Sequence, residues 1–165
     1  LPWRLKKTLG FLQSIFQDRI DLNDDYVYVT RIDSDDMFHK DAFAEIKGYE
    51  PKYGQVLTFR NGYIYNSDTK ELAEWRPETN PPFHTIMFPA HTFFDSAQYL
   101  AYFGDWKSHE DTTKVFEERK LSDGKYCVFV QNPKNHISTI WGHPFRGKEV
   151  IEDKGRILAD FGIIK

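Results

Sequence analysis

The spacing of apolar and polar positions changes along the chain, and each change marks an element. Leu5, Leu9, Leu12, Phe16 and Ile20 recur at steps of four and three, with Lys6, Lys7, Gln13 and Asp18 between them. That spacing predicts an amphipathic helix entered at Pro2, where a missing N–H costs nothing. Asp21-Leu22-Asn23-Asp24-Asp25 breaks the pattern. Tyr26 to Ile32 is then a block of β-branched and aromatic residues, apolar on both faces, as in a strand buried inside a sheet. It ends in Asp33-Ser34-Asp35-Asp36. Asp41 stands at an N-cap position for a short helix through Phe43 and Ile46, closed by Gly48.

Downstream the period shortens. Gln55 to Arg60 and Tyr63 to Asn66 flank Asn61-Gly62, which predicts a hairpin with a two-residue type I′ turn. Glu71 to Trp75 reads as a further strand. Pro77, Pro81 and Pro82 impose an irregular stretch before Phe83-His84-Thr85-Ile86-Met87-Phe88. Asp95 heads a helix carrying Ala97, Leu100, Ala101 and Phe103, which Gly104-Asp105 closes. A second helix starts around His109-Glu110-Asp111, where acids meet the helix dipole, and should bury Val115 and Phe116. Tyr126 to Val130 is a strand that ends before Asn132-Pro133. From Lys148 onward charge alternates with Val150, Ile151, Ile157, Leu158 and Phe161, so residues 148–165 read as a loosely docked amphipathic tail. The expectation is one α/β domain over residues 1–165: a mixed sheet flanked by helices, with a β-hairpin insertion.

Charge narrows the function classes. Twenty-five acidic against 22 basic residues leave a net charge of −3, without the basic surplus of a general nucleic-acid binder. No apolar run reaches the roughly 18 residues of a membrane span, and the opening L-P-W-R-L-K-K carries no secretory apolar core. Cys127, the single cysteine, can form neither an internal disulfide nor a cysteine metal cage. A soluble cytoplasmic protein is the expectation. Aromatic residues make up 16% of the chain. Most such rings fill cores, and some can line a cleft for a sugar.

The densest chemistry is the acidic strand tip. Two residues of extended chain span roughly 6.6 Å and return the side chain to the same face. Asp33 and Asp35 can therefore converge on one hard cation, with oxygen ligands at roughly 2.0–2.2 Å for Mg²⁺. Asp36 would serve as a further contact. The competing reading is an ordinary acidic turn or helix cap. An EF-hand is the weaker reading, because its loop wants glycine at the sixth position and, counted from Asp33, that residue is Phe38.

The segment Val29-Thr30-Arg31-Ile32-Asp33-Ser34-Asp35-Asp36-Met37-Phe38-His39-Lys40-Asp41 resembles the D-x-D region of GT-A fold glycosyltransferases, and its T-R-I-D-S-D-D form is similar to that of bacterial rhamnosyltransferases. The resemblance implies a partial GT-A-like fold and a divalent metal, Mn²⁺ or Mg²⁺, bridging the diphosphate of a nucleotide-sugar. It implies Asp33, Asp35 and His136 as metal ligands, with His143 a second histidine candidate. Arg31, Asp33 and Asp36 would meet the donor. The pair Glu110 and Asp111 resembles the acids that supply the catalytic base in inverting members, Asp111 being the preferred base. Trp75, Trp106 and His84, around the middle hairpin, are the candidate acceptor contacts.

The resemblance spans about residues 20 to 145 and departs from the family at its start. GT-A enzymes place several βα units before the D-x-D strand, and here one helix precedes it, with no glycine-rich phosphate loop and no Q-x-x-R-W string. The chain is thus expected to be the metal- and acceptor-side portion of a longer enzyme, whose N-terminal half is a missing partner. The function expected is metal-dependent transfer of a sugar, rhamnosyl among the candidates, from a nucleotide-sugar to a saccharide acceptor. The alternatives are a non-catalytic carbohydrate-binding module and a metal-dependent phosphohydrolase.

Overall fold

The computed structural model describes residues 11, 13–34, 36–78, 83–95, 111–130 and 147–164. In chain order the elements are β1 (Tyr26–Arg31), β2 (Met37–Phe38), α1 (Ala42–Gly48), β3 (Gln55–Thr58), β4 (Gly62–Asn66), β5 (Leu72–Trp75), β6 (His84–Pro89), a 3₁₀ turn (Ala90–Thr92), α2 (Thr112–Val115), β7 (Glu117–Lys120), β8 (Tyr126–Val130) and α3 (Gly155–Asp160). Residues 13–16 are helical as well. The strands form two mixed sheets, β1-β6-β3-β7 and β2-β8-β4-β5. Each contains one parallel pair, β3 with β7 and β4 with β8, and is otherwise antiparallel. The α/β expectation holds at this level, with two sheets in place of one.

Alternation along the strands decides what each sheet buries. Leu57 and Met87 of the first sheet meet Ile64, Ala73, Tyr126, Val128 and Val130 of the second, together with Ala42 and Ile46 of α1. The two sheets and α1 therefore share one core. At its centre the Phe83 and Tyr126 rings stack with centroids 4.0 Å apart. The opposite face of the first sheet packs Val56, Ile86 and Phe88 against Phe93 and Phe116. The opposite face of the second packs Tyr65, Leu72 and Cys127 against Leu158 and Phe161. Burial pushes the Cys127 thiol up to about 12, so this cysteine is an inert core residue.

Several expectations need correction. Residues 55–60 and 63–66 do not form a hairpin: β3 and β4 belong to different sheets. Gly62 is required by close packing instead, since a Cβ there would lie 2.5 Å from the Tyr126 carbonyl oxygen. The hairpin that does form is β4–β5. Its turn is held by Asn66 Oδ1, which accepts from the N–H groups of Asp68 and Thr69, and Lys70 adopts φ 61°.

β1 is an outer strand in the order of the described strands and is half-buried, with Val29 38% exposed; it is not enclosed on both faces. α1 starts after Asp41 without a side-chain cap hydrogen bond. α2 buries Thr112 while Val115 is exposed. The tail is firmly seated. Val150 bridges to Ala73, Leu158 and Phe161 are buried, and Lys40 Nζ pairs with Asp160 at 2.7 Å. The helices proposed across residues 1–10 and 96–110 lie outside the described residues.

Candidate functional site

Strand direction sets where chemistry can collect. β1, β3 and β7 run the same way, so Arg31, Thr58 and Lys120 end on one edge of the first sheet. The register joins them through His84: Arg31 faces His84, His84 faces Thr58, and Thr58 faces Lys120. Register partners share a face. Four polar side chains therefore form a row beneath the carboxyl edge, and the chain leaving β1 carries Asp33 just beyond it.

The tip itself is built around an ion pair. Arg31 Nη2 lies 2.7 Å from Asp33 Oδ1, with both side chains partly exposed. Arg31 Nη1 is shut off from solvent and has no hydrogen-bond partner among the described residues. A guanidinium N–H left in that state is costly and marks a place where an acceptor is favoured. Asp36 turns the other way, its Oδ1 accepting from the Phe129 N–H at 3.1 Å. It thereby ties the acidic loop to β8 in the second sheet. The backbone helps hold the loop, as Asp36 N–H donates to the Asp33 carbonyl.

The structure thus brings Arg31, Asp33 and His84 to one corner and assigns Asp36 a loop-anchoring contact. His84 is buried, 2% exposed, so it belongs to the wall of the site. Trp75 lies in the second sheet, paired in register with Gly62, and Lys148 Nζ sits 4.8 Å above its ring. Asp111 precedes α2 and pairs with Lys114 Nζ at 2.5 Å. α2 leads into Glu117, which begins β7 at the sheet edge opposite Arg31. Asp35, Trp106, Glu110, His136 and His143 lie outside the described residues.

Among the described residues no group of three His, Cys, Asp or Glu side chains could hold a metal by itself. Among the described residues of the tip, Asp33 Oδ1 is engaged by Arg31, which leaves its second oxygen as the donor facing a cation. Ions of the Mg²⁺ type keep several waters and bind through one or two carboxylates plus substrate phosphates.

Sequence reasoning passed over the middle of the row. Thr58 is fully buried, and its hydroxyl donates to Glu118 Oε1 at 2.8 Å; Arg60 Nε approaches the same carboxylate at 3.6 Å. The available signal was Thr58 and Arg60 closing the apolar run Val56-Leu57. Glu118 lies in a strand with no apolar period to announce it. No helix among the described residues is long and apolar enough to cross a membrane. No protein-family model, curated protein or solved structure matches this chain.

Proposed function

We propose that the chain is the metal- and acceptor-side portion of a glycosyltransferase that moves a sugar from a nucleotide-sugar to a saccharide acceptor. The observation that carries this reading is the Arg31–Asp33 pair at the carboxyl end of β1, with the enclosed and unsatisfied Nη1 of Arg31 beside it. Ligands of open α/β sheets bind beyond such strand ends. A diphosphate oxygen would meet the partly exposed face of the Arg31 guanidinium, while Asp33, with Asp35 next along the motif, would hold the divalent ion. That ion, when bound, supplies positive charge to the departing diphosphate. Arg31 orients the Asp33 carboxylate and neutralises part of the phosphate charge. Asp36 holds the loop against β8, and His84 walls the corner. Asp111 leads into the end of β7 opposite Arg31, so the expected role of Asp111 as base does not carry over to this corner, where the acceptor hydroxyl proton must be taken by a nearer group.

The test is calorimetric titration of Mn²⁺ into the chain with a nucleoside diphosphate present. Wild type should bind the ion, and Asp33→Asn and Asp35→Asn should each lose about tenfold or more in affinity, the scale of one charge-assisted contact. Equal binding by wild type and both variants would remove the metal role. The Arg31–Asp33 pair also favours a second reading, a non-catalytic carbohydrate-binding module, since an aspartate engaged by arginine needs no cation. Saccharide binding that survives EDTA and needs no nucleotide would support that alternative.

A further inference from the structure

Succinimide chemistry singles out two places in the sequence: its one Asn-Gly dipeptide, Asn61-Gly62, and its one Asp-Gly dipeptide, Asp123-Gly124. Glycine has no side chain to hinder attack by its own backbone nitrogen on the preceding side-chain carbonyl carbon, so such pairs close the ring most readily. The fold brings the two together. Residues 59–61 carry the chain from β3 in the first sheet to β4 in the second, and residues 121–125 carry it from β7 to β8 across the same gap. Where these crossings meet, Asn61 Nδ2 donates to Asp123 Oδ2 at 3.0 Å, and the Gly124 N–H donates to the Asn61 carbonyl at 2.9 Å. Gly62 is buried against Tyr126, without room for so much as a Cβ. Asp123 is exposed and Asn61 half-buried, and both line a recess of about 120 Å³, so water reaches them.

Each contact restrains one ring closure. For Asn61 to react, its carboxamide must swing until Cγ faces the Gly62 nitrogen; the bond to Asp123 opposes that swing, and the packed Gly62 fixes the backbone. For Asp123 to react, the Gly124 nitrogen must turn toward Asp123 Cγ, and its N–H is committed to Asn61. We infer that Asn61 is a spontaneous deamidation site which Asp123 keeps closed, and that its conversion releases Asp123-Gly124 to isomerise in turn. In the first reaction the Gly62 nitrogen gives up its proton and bonds to Asn61 Cγ, the Cγ–Nδ2 bond breaks, and ammonia leaves. Water then adds to either ring carbonyl and opens it to aspartate or isoaspartate, so one amide and one water become one carboxylic acid and one ammonia. A carboxylate now stands against Asp123 where a donor stood, and attraction becomes repulsion. As the crossings part, the Gly124 N–H loses its acceptor. Its nitrogen then attacks Asp123 Cγ with loss of water, and water returning to the other carbonyl leaves isoaspartate, with no net change in atoms. The chemistry needs only water and does not rest on the transferase reading.

The experiment incubates the 165-residue chain and follows the peptides holding Asn61 and Asp123 by mass spectrometry, with enzymatic methylation to count isoaspartate. At mildly alkaline pH the folded wild type should deamidate slowly at Asn61, and Asp123→Ala should raise that rate about fivefold, the factor one ordinary hydrogen bond carries. Wild type in urea should react faster still, because both restraints are gone. Asp123→Ser, which keeps a small polar side chain at the turn, repeats the comparison should the alanine variant unfold. At mildly acidic pH, Asn61→Asp should gather isoaspartate at Asp123-Gly124 about fivefold faster than wild type. Its urea midpoint should also fall further than that of Asn61→Ser, which removes the donor without adding charge. No deamidation at Asn61 in any of these samples would overturn the site. Equal rates in folded wild type and in urea, or in folded wild type and the Asp123 variant, would overturn the gate. Unchanged isomerisation at Asp123 in Asn61→Asp would overturn the coupling.

Discussion

β7 and β8 do the same topological job with opposite chemistry. Each runs parallel to a neighbour, β7 beside β3 and β8 beside β4. β8 reads Tyr-Cys-Val-Phe-Val, lies between β2 and β4, and is buried at four of its five positions. β7 reads Glu-Glu-Arg-Lys, ends the strand order of its sheet, and buries none of its residues. A central strand loses water on both faces, so only apolar residues sustain it. An outer strand keeps water on one side and is guarded against pairing by its own charges. The difference shows how this domain divides its work: β8 holds the two sheets together, while β7 spends its side chains on an ion-paired corner.

The comparison is most strongly broken at Tyr126. Its ring stacks on Phe83, its hydroxyl donates to the Arg60 carbonyl at 3.1 Å, and it is fully buried. Tyr126→Ala should lower unfolding free energy by about 3–5 kcal/mol, the range for large aromatic truncations. Tyr126→Phe, which keeps the stack, should cost about 1 kcal/mol for the hydrogen bond alone. Urea denaturation measures both. If the two variants are equally destabilised, the ring stack is not what supports β8.

The same measurement divides β7 internally. Glu118 accepts from the buried Thr58 hydroxyl and faces Arg60, so Glu118→Ala should cost about 1–3 kcal/mol by stranding that hydroxyl. Lys120→Ala, at an exposed position, should change stability by less than about 0.5 kcal/mol. Equal costs for the two would mean that β7 is a uniform surface strand.

The same contrast explains what could be read in advance. β1, β4 and β8 were legible because aromatic and β-branched runs announce strands, whereas β5, Leu72 to Trp75, has no such run. β7 was invisible: four charged residues carry no period, and their extended backbone is imposed by β3. Asn61-Gly62 misled because a short-range turn signal and a close-packing requirement select the same glycine. The true β4–β5 turn was signalled by the Asn66-Ser67-Asp68 cluster, whose side-chain bonds imitate a turn backbone. At the candidate site, Arg31 and Asp33 were found from the motif and the strand end. The row through His84, Thr58 and Lys120 depends on register between strands far apart in the chain, which local pattern does not encode. The Asn61–Asp123 contact likewise needs the β3–β4 and β7–β8 crossings brought side by side.

The smallest expected effect concerns the tail, where seating depends on ionisation. Lys40 Nζ pairs with Asp160 Oδ1 at 2.7 Å, the Lys40 N–H donates to the Asp160 carbonyl, and His39 Nε2 stands 3.6 Å from Asp160 Oδ2. The hydrogen bond from Lys40 holds the Asp160 carboxyl below the usual aspartate range, and the same bond raises the Lys40 ammonium above the usual lysine value. The signs follow from linkage. A carboxyl depressed in the folded state contributes fully above its unfolded value, about 4, and loses that contribution as pH falls through the folded one. A raised ammonium contributes fully below its unfolded value, about 10.4, and loses it as pH climbs past the folded one. α3 should therefore be best seated between these limits. Amide exchange at Leu158 and Phe161 should quicken, relative to its intrinsic rate, as pH drops below about 4. Asp160→Asn should flatten that acid dependence while leaving the buried Leu158 and Phe161 contacts in place. If wild type and Asp160→Asn respond identically to acid, apolar packing alone seats the helix, and the Lys40–Asp160 pair contributes nothing measurable, as many exposed pairs do.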